Sequence, residues 1–352
     1  MTSDSIAVRR LAAQRLIGPP SQTPADVIRH LLAVQSQDYP NAKWAVGQRL
    51  DGALDADLDR AFDAGEIVRT HVLRPTWHFV APDDMRWLLA LTAYQYRLLE
   101  IDRDLAARSR AVFEKALRGG VALTREELGA RLGDAGIGAS GVRLGYLIMD
   151  AELEAVVCSG PRRGRRHTYA LLEERLPPAR PRARDEALAE LGRRYVEGHG
   201  PAQVADLAWW SGLTVADAKG ALEAATPPLV REPIAGRTFY ASPTEPAASA
   251  PRPFLHLLPN YDELLIAFRD RTDAMDPELP PPARVAQVLL SHVVVRDGLV
   301  VGGYRRRDER TTTRLQIDLL VGLGKADCEA LRGVIERFAA FLGRPVATVG
   351  LD

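Results

Sequence analysis

One pattern constrains this chain more than any other: three short helical segments followed by a two-stranded hairpin, recurring along the sequence. The clearest copy lies between two proline-rich stretches, LPPARPRAR at 176–184 and ASPTEPAASAPRP at 241–253, which read as domain edges. There DEALAELGRRYVEGHG has helical periodicity and stops at Gly198 and Gly200. Pro201 is expected to open a second helix, PAQVADLAWWSG, because proline is tolerated in a first turn. Thr214 is expected to cap a third, with Asp217 three residues on. PLVREPI and RTFYAS then alternate like strands around Ala235-Gly236. Three helices and a hairpin in that order make a winged helix. Trp209 and Trp210 are expected in its core.

A second copy precedes the first linker. Thr124 and Glu127 form a capping-box pattern at the head of TREELGARLG, and SGVRLGYLIMDAEL reads as the next helix. EAVVCSG and HTYALLEE are strands around the tip PRRGRR. The glycines of GDAGIGASG fit no phosphate-binding spacing and read as an interhelical loop. The N-terminal segment is a looser third copy. Thr23 caps PADVIRHLLAVQSQ, DADLDRAFDAGE is a short helix, and IVRTHVLR and PTWHFVAP pair as strands. Residues from Asp83 to about Arg118 read as long connecting helix. After Pro253 the pattern changes. LHLLPNYDELLIAF holds a buried strand and a turn, and LLSHVVVRDGLVVGGY is a hairpin around Asp297-Gly298, a type I′ signal. A further strand, TTTRLQIDLL, follows the polar tip RRRDER, and an amphipathic helix ends the chain. The expected fold is therefore helix-rich α+β: winged helices at 1–118, 119–178 and 185–243, and an α+β region at 252–352.

Composition narrows the function classes. No apolar run of the 352 residues approaches the roughly 20 needed for a membrane span, and MTSDSIAVRRLAAQRL does not read as a secretory signal. The two cysteines, Cys158 and Cys328, lie far apart, as in a reduced cytosol. H-E-x-x-H, C-x-x-C, P-loop and G-x-S-x-G motifs are all missing, so a metal or nucleotide cofactor is unsupported. Formal net charge is zero, where a simple DNA-binding module is basic. Arginine is nonetheless clustered, at Arg162, Arg163, Arg165 and Arg166 and at Arg305, Arg306 and Arg307, while acids gather at Asp51, Asp55, Asp57 and Asp59. Taken singly, each cluster reads as a solvated loop.

Polar residues gather in two places. Gln35 and Gln37 sit at the expected end of an apolar helix, with Trp44 and Gln48 downstream, and Arg74-Pro75-Thr76-Trp77-His78 forms a dense polar-aromatic strand. From the residues alone, glutamines that cap a helix and a strand that only packs account for these better than a site does.

The stretches VQSQDYPNAKWAVGQRL, GEIVRTHVLRPTWHFVAPDDMRWL, YVEGHGPAQVADLAWWSGL and LLPNYDELLIAFRDR resemble the AlkZ/YcaQ family of bacterial alkylpurine DNA glycosylases, in order and over nearly the whole chain. The resemblance implies three tandem winged helices and a C-terminal β-rich region arranged as a C-shaped clamp on duplex DNA. AlkZ-type members carry a Q-Φ-Q motif in the cleft and YcaQ-type members Q-Φ-D. Gln35-Ser36-Gln37 places this chain on the AlkZ side, with Ser36 departing from the apolar middle position. It further implies that Gln35 and Gln37 orient a water, that Trp44, Arg74, Thr76 and His78 shape the cleft, and that the arginine clusters grip phosphates. The expected protein is a cytoplasmic, nucleoid-associated monomer acting without cofactor or metal on duplex DNA bearing alkylated purines. With no evident Schiff-base lysine beside the motif, hydrolysis rather than lyase chemistry is expected. A non-enzymatic winged-helix DNA-binding protein or transcription regulator is the alternative, because such folds bind more often than they catalyse.

Overall fold

Thr23 starts the first repeat as its pattern requires. Its hydroxyl accepts the Asp26 N–H and the Asp26 carboxylate accepts the Thr23 N–H, both at 3.1 Å. The computed structural model describes residues 5–74, 76–92, 102–244, 246, 252–280 and 291–350. The first repeat comprises α1 (Ile6–Ala13), α2 (Pro24–Leu31), β1 (Ala33–Gln35), α3 (Tyr39–Gly47), α4 (Asp55–Ala64), β2 (Val68–Val72) and β3 (Thr76–Val80). One expectation fails here. The helix does not run on to Gln37: Leu32 adopts φ 67° and ends it, and Ala33–Gln35 pair instead with Val80–His78 of β3. Strand pairing satisfies these buried backbone groups where a longer helix would strip β3 of its partner.

The connection that follows consists of α5 (Pro82–Thr92) and α6 (Arg103–Leu117), the middle of the expected helix lying outside the described residues. The second repeat continues with β4 (Leu123–Thr124), α7 (Arg125–Asp134), α8 (Gly141–Leu153), β5 (Val157–Arg163) and β6 (Arg166–Leu171), and closes on α9 (Leu172–Arg175). The Thr124–Glu127 capping box forms as expected. The third has α10 (Arg184–His199), α11 (Val204–Ser211), α12 (Val215–Glu223), β7 (Val230–Ile234) and β8 (Arg237–Ala241). Pro201 does not open α11; Ala202 pairs with Tyr240 as a one-residue strand and Gln203 is the N-cap. At Gly192 the backbones of α10 and α12 meet so closely that a Cβ would strike the Ala221 carbonyl.

The three sheets share one plan. Their orders are β1-β3-β2, β4-β6-β5 and Ala202-β8-β7: the strand that precedes the last two helices pairs with the last strand of the wing. The C-terminal region has β9 (Leu255–Leu258), α13 (Glu263–Ile266), β10 (His292–Arg296), β11 (Leu299–Asp308), β12 (Thr313–Leu319), α14 (Lys325–Leu342) and β13 (Val346–Val349). Its sheet order is β13-β12-β11-β10-β9, and β13 lies parallel to β12, a pairing without a turn signal in the sequence. Asp297 and Gly298 both take positive φ, as the type I′ signal requires. RRRDER is not a loose tip. Arg305, Arg306 and Arg307 lie in β11, opposite Gln316, Leu315 and Arg314, and Glu309–Thr312 make the turn.

The first repeat shares its core with the C-terminal region. Trp44 packs on Phe338 and Phe341 of α14, and its indole N–H donates to Leu257 C=O at 2.7 Å. The second repeat closes largely on its own core of Phe113, Leu117, Leu128, Leu147 and Val157. Among the described residues no helix is long and apolar enough to cross a membrane.

Candidate active site

A cleft is built where β1 gives way to α3. Gln35 ends the strand, Asp38 caps the helix, and Ser36 and Gln37 span the gap. Ser36 is buried, so the turn is pinned. Its N–H donates to Trp77 C=O at 2.7 Å and its C=O accepts from Arg69 Nε at 3.1 Å. Gln37 is exposed and lines a cavity of about 830 Å³. Asp38, Tyr39, Arg69 and Trp77 of the first repeat share this wall. Arg125, Glu126, Arg166, His167 and Tyr169 of the second repeat face it, and Asn260 and Tyr261 come from the turn after β9.

Gln35 differs from its neighbour. It is buried and does not line the cavity; its amide oxygen accepts from Arg74 Nη2 at 3.4 Å. Its backbone N–H donates to Glu263 Oε1 at 2.9 Å, and the other oxygen of Glu263 accepts the Trp210 indole N–H at 2.8 Å. Burial alone would raise the Glu263 carboxyl. His199, 3.6 Å away, with His78 and the Gln35 N–H, more than offsets this and holds it below the ordinary value. His78 is the register partner of Gln35 in β3, and Nδ1 lies 2.9 Å from Thr76 C=O. Burial, reinforced by the Arg74 charge, lowers its pKa to about 4, so the ring is neutral near pH 7. His78 Nε2 and Thr76 Oγ1 are buried without hydrogen-bond partners among the described residues.

Several expected site residues are redistributed. Trp44, expected in the cleft, lies in the core, 1% exposed. Arg74, Thr76 and His78 gather around Gln35 rather than in the open cavity. The arginine clusters divide as well. Arg162 of β5 grips Asp63 through Nη2 at 3.0 Å and Asp59 through Nη1 at 2.9 Å, joining the second repeat to α4. Arg163 pairs with Glu127, while exposed Arg165 and Arg166 have no ion pair among the described residues. Arg306 turns inward onto Asn41 Oδ1 at 3.0 Å and over the Phe338 ring, leaving Arg305 and Arg307 exposed on the outer face of β11. Strand alternation produces that split. Trp209, expected in the core, is 42% exposed. Among the described residues no group of three or more His, Cys, Asp or Glu side chains could hold a metal ion.

Reading the sequence missed Arg69, Asn260, Tyr261 and Glu263. Arg69 is 9% exposed and stacks over Trp77 at 4.2 Å. It alternates in β2 with apolar neighbours, which resembles a half-buried strand. The others sit in LLPNYDELLIAF, whose run of consecutive polar residues between apolar ones was the available signal.

The chain is similar to known proteins over most of its length. It is 26% identical over 319 residues, 84% of this chain and 86% of the relative, to the interstrand DNA cross-link repair glycosylase of Streptomyces sahachiroi. The fold is that of the Streptomyces sahachiroi DNA glycosylase AlkZ, with TM-score 0.76 and 21% identity over 99% of this chain and 100% of that one. The model of the DNA glycosylase AlkZ-like family matches residues 28–341. Since that match spans the three repeats and most of the C-terminal region, the chain belongs to the DNA glycosylase AlkZ-like family.

Proposed function

We propose that the chain hydrolyses the N-glycosidic bond of N7-alkylated purines in duplex DNA as a monofunctional, metal-independent glycosylase. The observation that carries this reading is Gln37, an exposed amide whose side chain meets no hydrogen-bond partner among the described residues, held at the cleft by a buried and doubly hydrogen-bonded Ser36. An amide cannot act as a general base but can donate to and accept from a water. For a cationic N7-alkylpurine that is enough. The base leaves as a neutral molecule without a proton, the sugar develops oxocarbenium character, and a positioned water adds to C1′ and loses its proton to solvent. Asp38 caps α3, its carboxylate accepting from Asn41 Nδ2 at 2.8 Å, and the reading assigns it that positioning role. Lys43 supports hydrolysis over lyase chemistry: its ammonium is held by Asp55 at 2.6 Å and Asp59 at 3.0 Å. Gln35 acts from behind, through the turn it begins. Arg165, Arg166, Arg305 and Arg307 hold phosphates. The width of the cleft suits bulky adducts, and the cross-link repair for which the Streptomyces sahachiroi relative is named extends to this chain on the same reading.

Incubation with a duplex carrying one N7-methylguanine tests the proposal. Release of free N7-methylguanine, undiminished by EDTA, is the expected result. Binding without release would make the chain a non-catalytic member, and loss of activity on chelation would overturn the metal-independent chemistry.

A further inference from the structure

The turn after β9 holds a residue that its conformation does not favour. Pro259–Asp262 is closed by Asp262 N–H on Pro259 C=O at 3.2 Å, and its third residue, Tyr261, has φ 64°. That position is the natural place for glycine or asparagine, and a bulky aromatic residue there is strained. Such strain persists only where the surroundings over-determine the backbone, and it points towards function. Three anchors do so here. Asn260 N–H donates to His292 Nδ1 at 2.8 Å. Asp262 is held by both terminal nitrogens of buried Arg49, each at 2.9 Å. Glu263 accepts the Gln35 N–H. The tyrosine side chain is only partly covered. It is 42% exposed, and among the described residues its ring enters no aromatic pair and its hydroxyl meets no hydrogen-bond partner.

What the strain maintains is a ring on the cleft wall shared with Gln37. The cleft's other large rings are occupied: Trp77 has the Arg69 guanidinium at 4.2 Å and the His71 ring at 4.4 Å, Tyr39 packs edge-on against Phe62, Phe79 and His167, and Tyr169 packs against the core of the second repeat. Beside Tyr261, Asn260 presents a buried amide oxygen with no donor among the described residues. We infer that Tyr261 is the stacking face for the cationic purine and that Asn260 Oδ1 accepts from that purine's exocyclic amine. The inference rests on the N7-alkylpurine reading. A π face attracts a cation, and base–aromatic stacking needs no particular sequence.

Binding to a duplex with 2′-fluoro N7-methylguanosine, which resists hydrolysis, separates this role from catalysis. The wild-type chain is expected to prefer that duplex to an undamaged one. Tyr261→Asn should lose at least fivefold of the preference while keeping or raising the melting temperature, because asparagine relieves the strain, and Tyr261→Phe should retain the preference. An unchanged preference in Tyr261→Asn overturns the inference. So does a lowered melting temperature in that variant, which would make the ring structural, or a wild-type chain with no preference at all. Release of base from an ordinary sugar is scored apart, and its failure would remove the glycosylase reading while leaving the binding result standing.

Discussion

The first and second repeats fold to one plan and differ at one joint. In the second, β4 ends on Thr124, which is itself the N-cap of α7. In the third, Ala202 is followed at once by its cap, Gln203. In the first, β1 ends at Gln35 and the cap is Asp38, so Ser36 and Gln37 occupy a connection the other repeats lack. The residues opposite differ in the same place: Gln35 faces His78, whereas Thr124 faces Thr168. A looser joint needs outside support, and the C-terminal region supplies it through Arg49–Asp262, Glu263 and the seat of Trp44. The second repeat has a core of its own and leans on the first repeat through Arg162 and Ser159 rather than on the C-terminal region. In the first copy of the repeated scaffold a two-residue joint stands in place of the direct strand-to-cap connection, braced from elsewhere in the chain.

The largest expected effect tests that dependence. Asp262→Ala leaves the Arg49 charge buried and unpaired, and should destabilise the chain by about 3–5 kcal/mol in denaturant unfolding. The ion pair within the second repeat, Arg110–Asp150 at 2.5 Å, has both side chains more than a fifth exposed. Arg110→Ala should therefore cost about 1 kcal/mol or less. Equal losses would break the contrast between a repeat braced by the C-terminal region and one with a core of its own.

A smaller effect separates the arginines of the second wing. Arg162→Ala should lower stability by about 1–2 kcal/mol, since it removes a two-carboxylate clamp on α4. It should leave the salt dependence of DNA binding unchanged. Arg165→Ala with Arg166→Ala should do the reverse, flattening the slope of log affinity against log salt by about 0.9 per lost phosphate contact. A salt slope altered by Arg162→Ala would mean that the joint between the repeats itself touches DNA.

Much of the plan was legible because it rests on local chemistry. The Thr23 and Thr124 caps, the Asp297-Gly298 turn and the periodic helices each carry their own signal. The joint did not. AVQ reads as more helix because its apolar run is continuous with α2, and only pairing with a strand more than forty residues away makes it β1. Trp44 looked like a cleft residue for the opposite reason: its packing partners, Phe338 and Phe341, lie nearly three hundred residues further on. The arginine clusters were visible as composition, but which members are free depends on strand alternation and on Asp63 and Asn41 across the chain.

The least expected response is to pH. Neither glutamine titrates, and His78 stays neutral down to about pH 4. The excision rate should be flat from about pH 8 to pH 6, and a limb near the ordinary histidine value of about 6.5 would replace amide positioning by an imidazole base. Acid should act on stability instead. His78 and His256, with folded pKa values of about 4 and about 3, are both lowered chiefly by burial. Their contribution is fully present above about pH 6.5 and is lost as pH falls towards those folded values, because the unfolded chain binds the proton first.

On the proposed mechanism the joint after β1 carries the chemistry, with Gln37 in the cleft and Gln35 setting the turn behind it. The most direct measurement is single-turnover excision of N7-methylguanine by Gln37→Ala and Gln35→Ala, alongside affinity for undamaged duplex. Each variant should excise at least about tenfold more slowly, equivalent to about 1.4 kcal/mol in the barrier, with affinity little changed. Wild-type rates in both would contradict the claim and remove the glutamines from the mechanism.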